Sequence, residues 1–337
     1  MSAATLLAAD TVADYLGSRG LVDGRTVRVG ELAGGVSCVV LEVTDGDRAW
    51  VVKQALPRLR VAEEWYADPA RTLTEAKALR LVGGWTPEHV PAVIDVDPER
   101  FVLVIERAPS AMTAWKSQLL AGRCDAGVGQ TLGTVLGRWH RYSHDDPVVQ
   151  AELDARESFE ELRVAPYLRA TAASRPWTAE PIAELIDHMA RRRRCLVHGD
   201  FSPKNILVGA GRVWVLDFEV AHRGDPDFDV AFLLSHLLAK AIQHPEHGAG
   251  LRRCASAFVA AYEGEIAGSE LAAVPTLVPG HLGALLLARV HGKSPLEYLD
   301  ARGRQQVATA GRSLLEGPWD LGRDVWTNAM SAVEGAA

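Results

Sequence analysis

Cysteine is scarce in this chain: Cys38, Cys124, Cys195 and Cys254 are the only four in 337 residues, far apart and with no C-x-x-C pair. That spacing argues against a zinc ribbon or a disulfide framework and is read as buried free thiols in a reducing cytoplasm. Long hydrophobic runs are missing as well. No segment approaches the roughly 18 uninterrupted apolar residues of a membrane helix, and even "HLGALLLARVHG" is too short. The first twenty residues have neither a basic start nor a long apolar core, so a secretory signal is not expected there. A strong charge of one sign is also absent: 36 Lys and Arg stand among 43 Asp and Glu, a net charge of -7. No basic field therefore points to nucleic acid or an anionic membrane, and the mildly acidic balance suits cationic or neutral small molecules slightly better. Internal repeats and low-complexity segments are likewise missing.

What is present suits a soluble two-domain protein. The chain is 48% hydrophobic, and 337 residues allow two domains with a core each. Asp10 before "TVADYL" reads as the N-cap of a short helix ending near Gly17. "VRVGELAGGVSCVVLEVTDGDRAWVVKQAL" alternates apolar and polar residues around "GG" and "DGD", which predicts three antiparallel strands in sequence. "ADPARTLTEAKALRLVGG" has helical spacing, with "GG" as its stop, and "VPAVIDVDPERFVLVIERAP" reads as two more strands around "DPER". Beyond Pro109 the pattern turns helical, beginning with Leu132, Val135, Leu136 and Trp139 on one stripe. The expected division is 1–107, a small antiparallel-sheet domain, and 108–337, a larger and mainly helical one. The tail "MSAVEGAA" is expected to fray.

One stretch breaks the helical character: "CLVHGDFSPKNILVGAGRVWVLDFE", residues 195 to 219. It sets Asp200, Asn205, Asp217 and Glu219 among apolar runs, and unpaired buried carboxylates are costly. The runs around "GAG" predict a hairpin returning Asn205 to Asp217. In an extended segment positions two apart point to the same side, so Asp217 and Glu219 can share one metal or one proton. Oxygen-only ligands of this kind suit Mg2+ held jointly with phosphate oxygens, which leaves Asp200 to accept a hydroxyl proton. The alternative is that all four are turn and cap residues.

Upstream, Gly34 and Gly35 in "LAGGVSC" let backbone N–H groups approach phosphates, with Ser37 adding a hydroxyl. A plain hairpin turn is the competing reading. Lys53 lies inside the apolar run "WVVKQAL", where it needs an anion; Glu75 is its candidate partner, with Glu63 and Glu64 as competitors. Such a Lys–Glu pair can be aimed at nucleotide phosphates.

"LVHGDFSPKN" followed by "VLDFE" resembles the catalytic loop and metal motif of the aminoglycoside phosphotransferase, choline kinase and methylthioribose kinase superfamily. "VVKQALPRLRV" and "LLAGRCD" look especially like methylthioribose kinases. The resemblance implies an α+β, bilobal, protein-kinase-like fold and an ATP- and Mg2+-dependent phosphotransferase acting on a small-molecule hydroxyl. It implies Asp200 as catalytic base, Asn205 and Asp217 as Mg2+ ligands, and Glu219 as a further metal-site carboxylate. Lys53 with Glu75 would hold the ATP phosphates, and the backbone of Glu106 and Ala108 in "IERAP" would meet the adenine. The chain departs from methylthioribose kinases in reading "HGDFSPKN" for "HGDLHTGS", and in offering Arg289 alone where they carry an arginine pair that grips the sugar.

Other features have plainer readings. Asp229 is expected to cap the helix after "GDP", with a bond to the catalytic loop backbone as an additional role, and His198 to orient that loop by hydrogen bonds. "RRRR" at 191–194 reads as a solvated helix end. His140 and His144 are assigned to packing and surface. Lys204 reads either as a contact to the transferred phosphoryl or as a solvated lysine. Rival functions are a metal-dependent phosphohydrolase, which wants further histidines in G-N-H-E or G-H-x-H settings that this chain lacks, and an inactive nucleotide-binding module. A monomer or homodimer in the cytoplasm is expected.

Overall fold

The computed structural model describes residues 6–23, 26–32, 36–60, 64–154, 156–273, 276–319 and 325–335. Gly34, Gly35 and Glu63 lie outside them. The chain forms two compact units, Met1–Ser110 and Ala111–Ala337, against the 107/108 boundary expected from the sequence.

In the first unit, strands β1 (Arg28–Glu31), β2 (Cys38–Asp45), β3 (Arg48–Ala55), β4 (Val93–Asp97) and β5 (Val102–Glu106) form an antiparallel sheet in the order β1-β2-β3-β5-β4. The two-residue turn Gly46–Asp47 sets the β2–β3 register at Asp45↔Arg48, with Gly46 at φ 58°. Alternation places Val39, Leu41 and Val43 on the core face with Val52, Val102 and Val104, and helix α1 (Val12–Ser18) adds Val12 and Leu16. The residue flanking α1 is Thr11, not Asp10; its Oγ1 accepts from Ala8 N at 2.9 Å.

Helix α2 (Arg71–Trp85) runs through Gly83 and Gly84 rather than stopping there, and ends at Thr86 before Pro87. Two glycines cost a helix about 1 kcal/mol each, which tertiary packing of Glu75, Ala76, Leu79 and Val82 offsets. Arg71 is buried and donates to the carbonyls of Ser37, Leu56, Ala67 and Asp68. It thereby fastens the start of α2 to the entry of β2 and the exit of β3.

The second unit opens with β6 (Thr113–Ala114) and helices α3 (Trp115–Leu120), α4 (Ala126–Ser143), α5 (Pro147–Glu152) and α6 (Glu157–Phe159). A π-helical run, Glu160–Arg169, carries α6 on into α7 (Ala170–Ser174), and α8 (Ala179–Arg191) follows. Then come β7 (Cys195–Val197), β8 (Ile206–Gly209), β9 (Arg212–Val215) and β10 (His222–Gly224). Helices α9 (Asp227–Gln243), α10 (Gly248–Ile266), α11 (Val278–His291), α12 (Ala301–Glu316) and α13 (Trp326–Glu334) complete it. Most of the expected tail is therefore helical, with Val333 buried.

Strands β8 and β9 pair as the hairpin read from "GAG", with Ile206↔Val215 in register, and β7 pairs with β10. Helices α4 and α10 approach closely because Gly129 and Gly133 face the Cys254 and Phe258 carbonyls. The arginines of "RRRR" are mostly paired rather than solvated: Arg192 with Asp225 and Asp227, Arg193 with Asp154, and Arg194 with Glu270. Acidic residues from α9 and neighbouring loops reach this helix end, which spacing alone does not reveal. Among the described residues no helix is long and apolar enough to cross a membrane.

Candidate active site

The loop after β7 is fixed from beneath. Asp229, in the first turn of α9, accepts from His198 N at 2.6 Å and Gly199 N at 2.8 Å. It is not the N-cap, a position held by Pro226; its work is on the loop backbone. Gly199 takes φ 76°, and a Cβ there would lie 2.9 Å from Val220, so glycine is required by both conformation and space.

His198 continues the same bracing. Its Nδ1 accepts from Asp200 N at 3.1 Å, and its Nε2 then donates to the Leu216 carbonyl at 3.1 Å. Burial outweighs the nearby carboxylates and holds its pKa below the ordinary value. A neutral ring with its proton on Nε2 links the Asp200 loop to the strand leading into Asp217. His140 is fully buried between the Tyr262 hydroxyl and Asp229, a packing role.

Asp200 is itself buried. Its Oδ2 accepts from Arg163 at 2.7 Å, Lys204 at 2.8 Å and Asn205 Nδ2 at 2.8 Å. Its Oδ1, equally buried, has no hydrogen-bond partner. Burial pushes this carboxyl up, but Arg163 and Lys204 more than compensate and hold it below the ordinary carboxylate value. Lys204 is therefore neither loose nor simply solvated; half exposed at 51%, it lies against Asp200.

Arg163 escaped the sequence reading. It projects from the π-helical run, donates through Nε to the Gly199 carbonyl at 2.9 Å, and lies over Tyr167 and Phe232. The charges of Asp200, Glu219 and Asp217 all act on it. The only signal for it was an arginine in a helical segment, with its partner 37 residues away.

Asn205 donates its amide to the Asp200 carboxylate and carbonyl, which turns Oδ1 outward. Its carbonyl accepts from Leu216 N at 2.9 Å, closing the hairpin beside Asp217. Asp217 has φ 71°, a left-handed conformation rare for a residue with a side chain. The chain is not extended there, so the alternation argument that set Asp217 and Glu219 on one side does not apply. Asp217 is half-buried, Glu219 is buried, and both bear on Arg163. Asn205 Oδ1, Asp217 and Glu219 offer oxygen donors only, a chemistry that suits a hard cation such as Mg2+.

In the first unit, Lys53 Nζ meets both carboxylate oxygens of Glu75 at 2.7 Å, with both side chains buried. Glu64 lies instead near Arg58 at 3.8 Å. Ser37 donates its hydroxyl to Cys38 Sγ at 3.7 Å, and Arg71 and Leu56 N hold its carbonyl. At the end of β5, Glu106 N donates to the Ala92 carbonyl at 2.9 Å, and Arg107 donates to the Ala108 carbonyl at 2.5 Å. The Glu106 N–H and the Ala108 carbonyl are thus committed within the protein.

Arg289 is buried in α11. It donates to the Tyr167 hydroxyl at 2.9 Å, the Ser294 carbonyl and hydroxyl at 3.2 Å each, and His236 Nε2 at 2.9 Å. Tyr167 and Phe232 stack 6.1 Å apart, and both lie under the guanidiniums of Arg163 and Arg289. These rings join the Asp200 site to the Arg289 cluster.

The family model described as "Phosphotransferase enzyme family" matches residues 28–274. The methylthioribose kinase of Bacillus cereus (strain AH820) is 26% identical over 248 residues, covering 66% of this chain and 63% of the relative. The chain thus spans about 63% of the length of the curated relatives it matches. Among solved structures, a choline/ethanolamine kinase family protein from Mesorhizobium loti has a TM-score of 0.56 at 15% identity, covering 97% of this chain and 99% of that one. Plasmodium vivax ethanolamine kinase gives 0.54 at 12% identity, covering 100% and 90%. At such identities the solved structures bear on fold alone, and the fold is α+β, bilobal and protein-kinase-like.

Proposed function

We propose, from the premise that this chain belongs to the phosphotransferase enzyme family, that it transfers the γ-phosphoryl of ATP to a hydroxyl of a small sugar-like or aminoglycoside-like acceptor. The observation that carries the reading is the asymmetry of Asp200: three donors occupy Oδ2, while Oδ1 is buried and unpartnered. A buried acceptor left unmade is costly, and an incoming hydroxyl satisfies it.

Phosphoryl transfer asks for positioning and charge neutralisation more than covalent participation. Asp200, ionised because its two cations hold its pKa down, orients the acceptor hydroxyl and takes its proton late in the transfer. Lys53, aimed by Glu75, holds the nucleotide phosphates. Ser37 adds a hydroxyl to them, and the Glu106 carbonyl and Ala108 N–H take the base. Asn205 Oδ1 and Asp217, with Glu219 as a further carboxylate, hold Mg2+, which when bound neutralises charge on the phosphate oxygens.

Replacing Asp200 by Ala is expected to abolish ADP release in the presence of acceptor, with ATP affinity retained within about threefold, since only the acceptor's proton loses its receiver. Turnover undiminished in Asp200→Ala would overturn the assignment.

A further inference from the structure

Beside the Asp200 site, α9 and α11 carry two buried cations. Arg289 is 5% exposed and Lys240 is 1% exposed. Neither has a carboxylate partner among the described residues. Lys240 Nζ has only long contacts, 3.4 Å to the His236 carbonyl and 3.5 Å to the Tyr298 hydroxyl, and lies over the Tyr298 ring. Arg289 spends its two terminal nitrogens on Tyr167, Ser294 and His236, yet its Nε–H is buried without an acceptor. His236 Nε2 accepts from Arg289, so the proton of this ring is on Nδ1.

A structural pin explains the Tyr167, Ser294 and His236 bonds, but not the unmatched Nε–H or the buried ammonium. Burying an unpaired cation is strongly unfavourable, and so is an unmade hydrogen bond at a buried donor. The other charged groups that bear on Lys240 are Lys116 and Glu297. Glu297 is 68% exposed and already paired with Lys116, so it does not neutralise the pair. Burial, with Lys116 and Arg289, pushes Lys240 down to about 7. Three cations, Lys240, Arg289 and Lys116, thus gather with one carboxylate, Glu297, in a chain that carries -7 overall.

We infer that Lys240 and Arg289 form a subsite for an anionic oxygen group, and that the acceptor is an alcohol carrying such a group, a carboxylate or phosphate, rather than a polycation, which narrows the acceptor class proposed above to its sugar-like members. This rests on the kinase reading for the word acceptor, but not for the anion site itself. Arg289 and Arg163, which reaches Asp200, both lie over the aromatic pair Tyr167 and Phe232. One end of a small polyol then meets the anion subsite while a hydroxyl meets Asp200 Oδ1. Aminoglycosides and choline, being cationic, are repelled by the same pair.

The test uses the full chain without nucleotide, titrated with inorganic phosphate, gluconate, glucose and choline, and followed by calorimetry. Phosphate and gluconate are expected to bind, glucose at least tenfold more weakly, and choline not at all. Lys240→Met is expected to lose at least tenfold in phosphate affinity while remaining folded, because Met keeps an unbranched side chain of similar length without a charge. Lys53→Met is expected to leave this affinity within about threefold, which separates the subsite from the nucleotide-phosphate site. ADP release with paired acceptors, ribose against ribose 5-phosphate and glucose against gluconate, is expected to favour the anionic member. No phosphate or gluconate binding, or binding unchanged in Lys240→Met, overturns the inference. Preferred turnover of choline or an aminoglycoside overturns it while leaving the kinase reading intact. Anion binding without any ATP-dependent turnover sinks the kinase reading and keeps the subsite.

Discussion

Asp200 Oδ2 gathers Arg163, Lys204 and Asn205 on one side of the carboxylate, and Arg163 is the member with no freedom to be replaced. It is buried, it bonds the Gly199 carbonyl, and it ties Asp200 to its own loop. Arg163→Met is expected to lower kcat by roughly a hundredfold, the scale associated with small misplacements of a reacting group. KM for ATP should stay within about threefold. Arg163→Lys, which keeps the charge but not the bidentate reach, should recover part of kcat. Equal loss in kcat and in ATP affinity would mark Arg163 as merely structural. Such a residue is hard to read from sequence because its meaning lies in a partner far along the chain. Lys53 was legible for the opposite reason: a lysine in the middle of an apolar strand needs an anion, and Glu75 supplies it. His236 and Lys240 carry a readable signal, two ionisable residues four apart in the largely apolar "DVAFLLSHLLAKAI".

At the level of elements, the approach of α4 to α10 depends on residues without side chains. A Cβ on Gly133 would lie 2.2 Å from the Phe258 carbonyl oxygen and 2.9 Å from Ala261 Cβ, so the helices would have to separate. Gly133→Ala is expected to cost about 2 kcal/mol or more in urea unfolding, in the range of overpacked cores. Gly264→Ala on α10, where a Cβ meets nothing within 4 Å, should be neutral or stabilising by about 0.5–1 kcal/mol. A Gly133→Ala protein as stable as the parent would show that these helices are not in close backbone contact. The hydrophobic stripe of α4 was legible as Leu132, Val135, Leu136 and Trp139, all buried. Its glycine face was not, because a glycine's spacing does not say what approaches it. The "GG" of α2 makes the same point from the other side. Read as a stop, it lies inside the helix, since packing outweighs local propensity.

For the whole molecule, strand alternation, the "DGD" and "GAG" turns and the change of pattern after Pro109 made two units and their element types readable. What escaped was backbone conformation at Asp217 and the charge pairing around "RRRR", both set by tertiary neighbours. Buried neutral histidines give the fold a defined response to acid. Burial lowers His222 from its ordinary 6.5 to about 3, and also lowers His198 and His236. Below 6.5 the unfolded chain takes up protons that the folded chain refuses, so this contribution is complete above pH 6.5 and is lost as pH falls toward 3. Each such group removes up to about 1.4 kcal/mol per pH unit in that window. Urea midpoints should therefore fall between pH 7 and pH 4.5, and the slope should be shallower in His222→Phe; an unchanged slope would contradict the assignment. The central claim is that Lys53, Asp200, Asn205 and Asp217 serve one metal-bound nucleotide. A crystal structure of the protein with Mg2+ and a non-hydrolysable ATP analogue tests it most directly. The account predicts Asn205 and Asp217 oxygens about 2.1 Å from the ion, Lys53 on the phosphates of that same nucleotide, and Asp200 Oδ1 facing the terminal phosphoryl group. A nucleotide bound with Lys53 or Asp217 away from its phosphates and metal would contradict it.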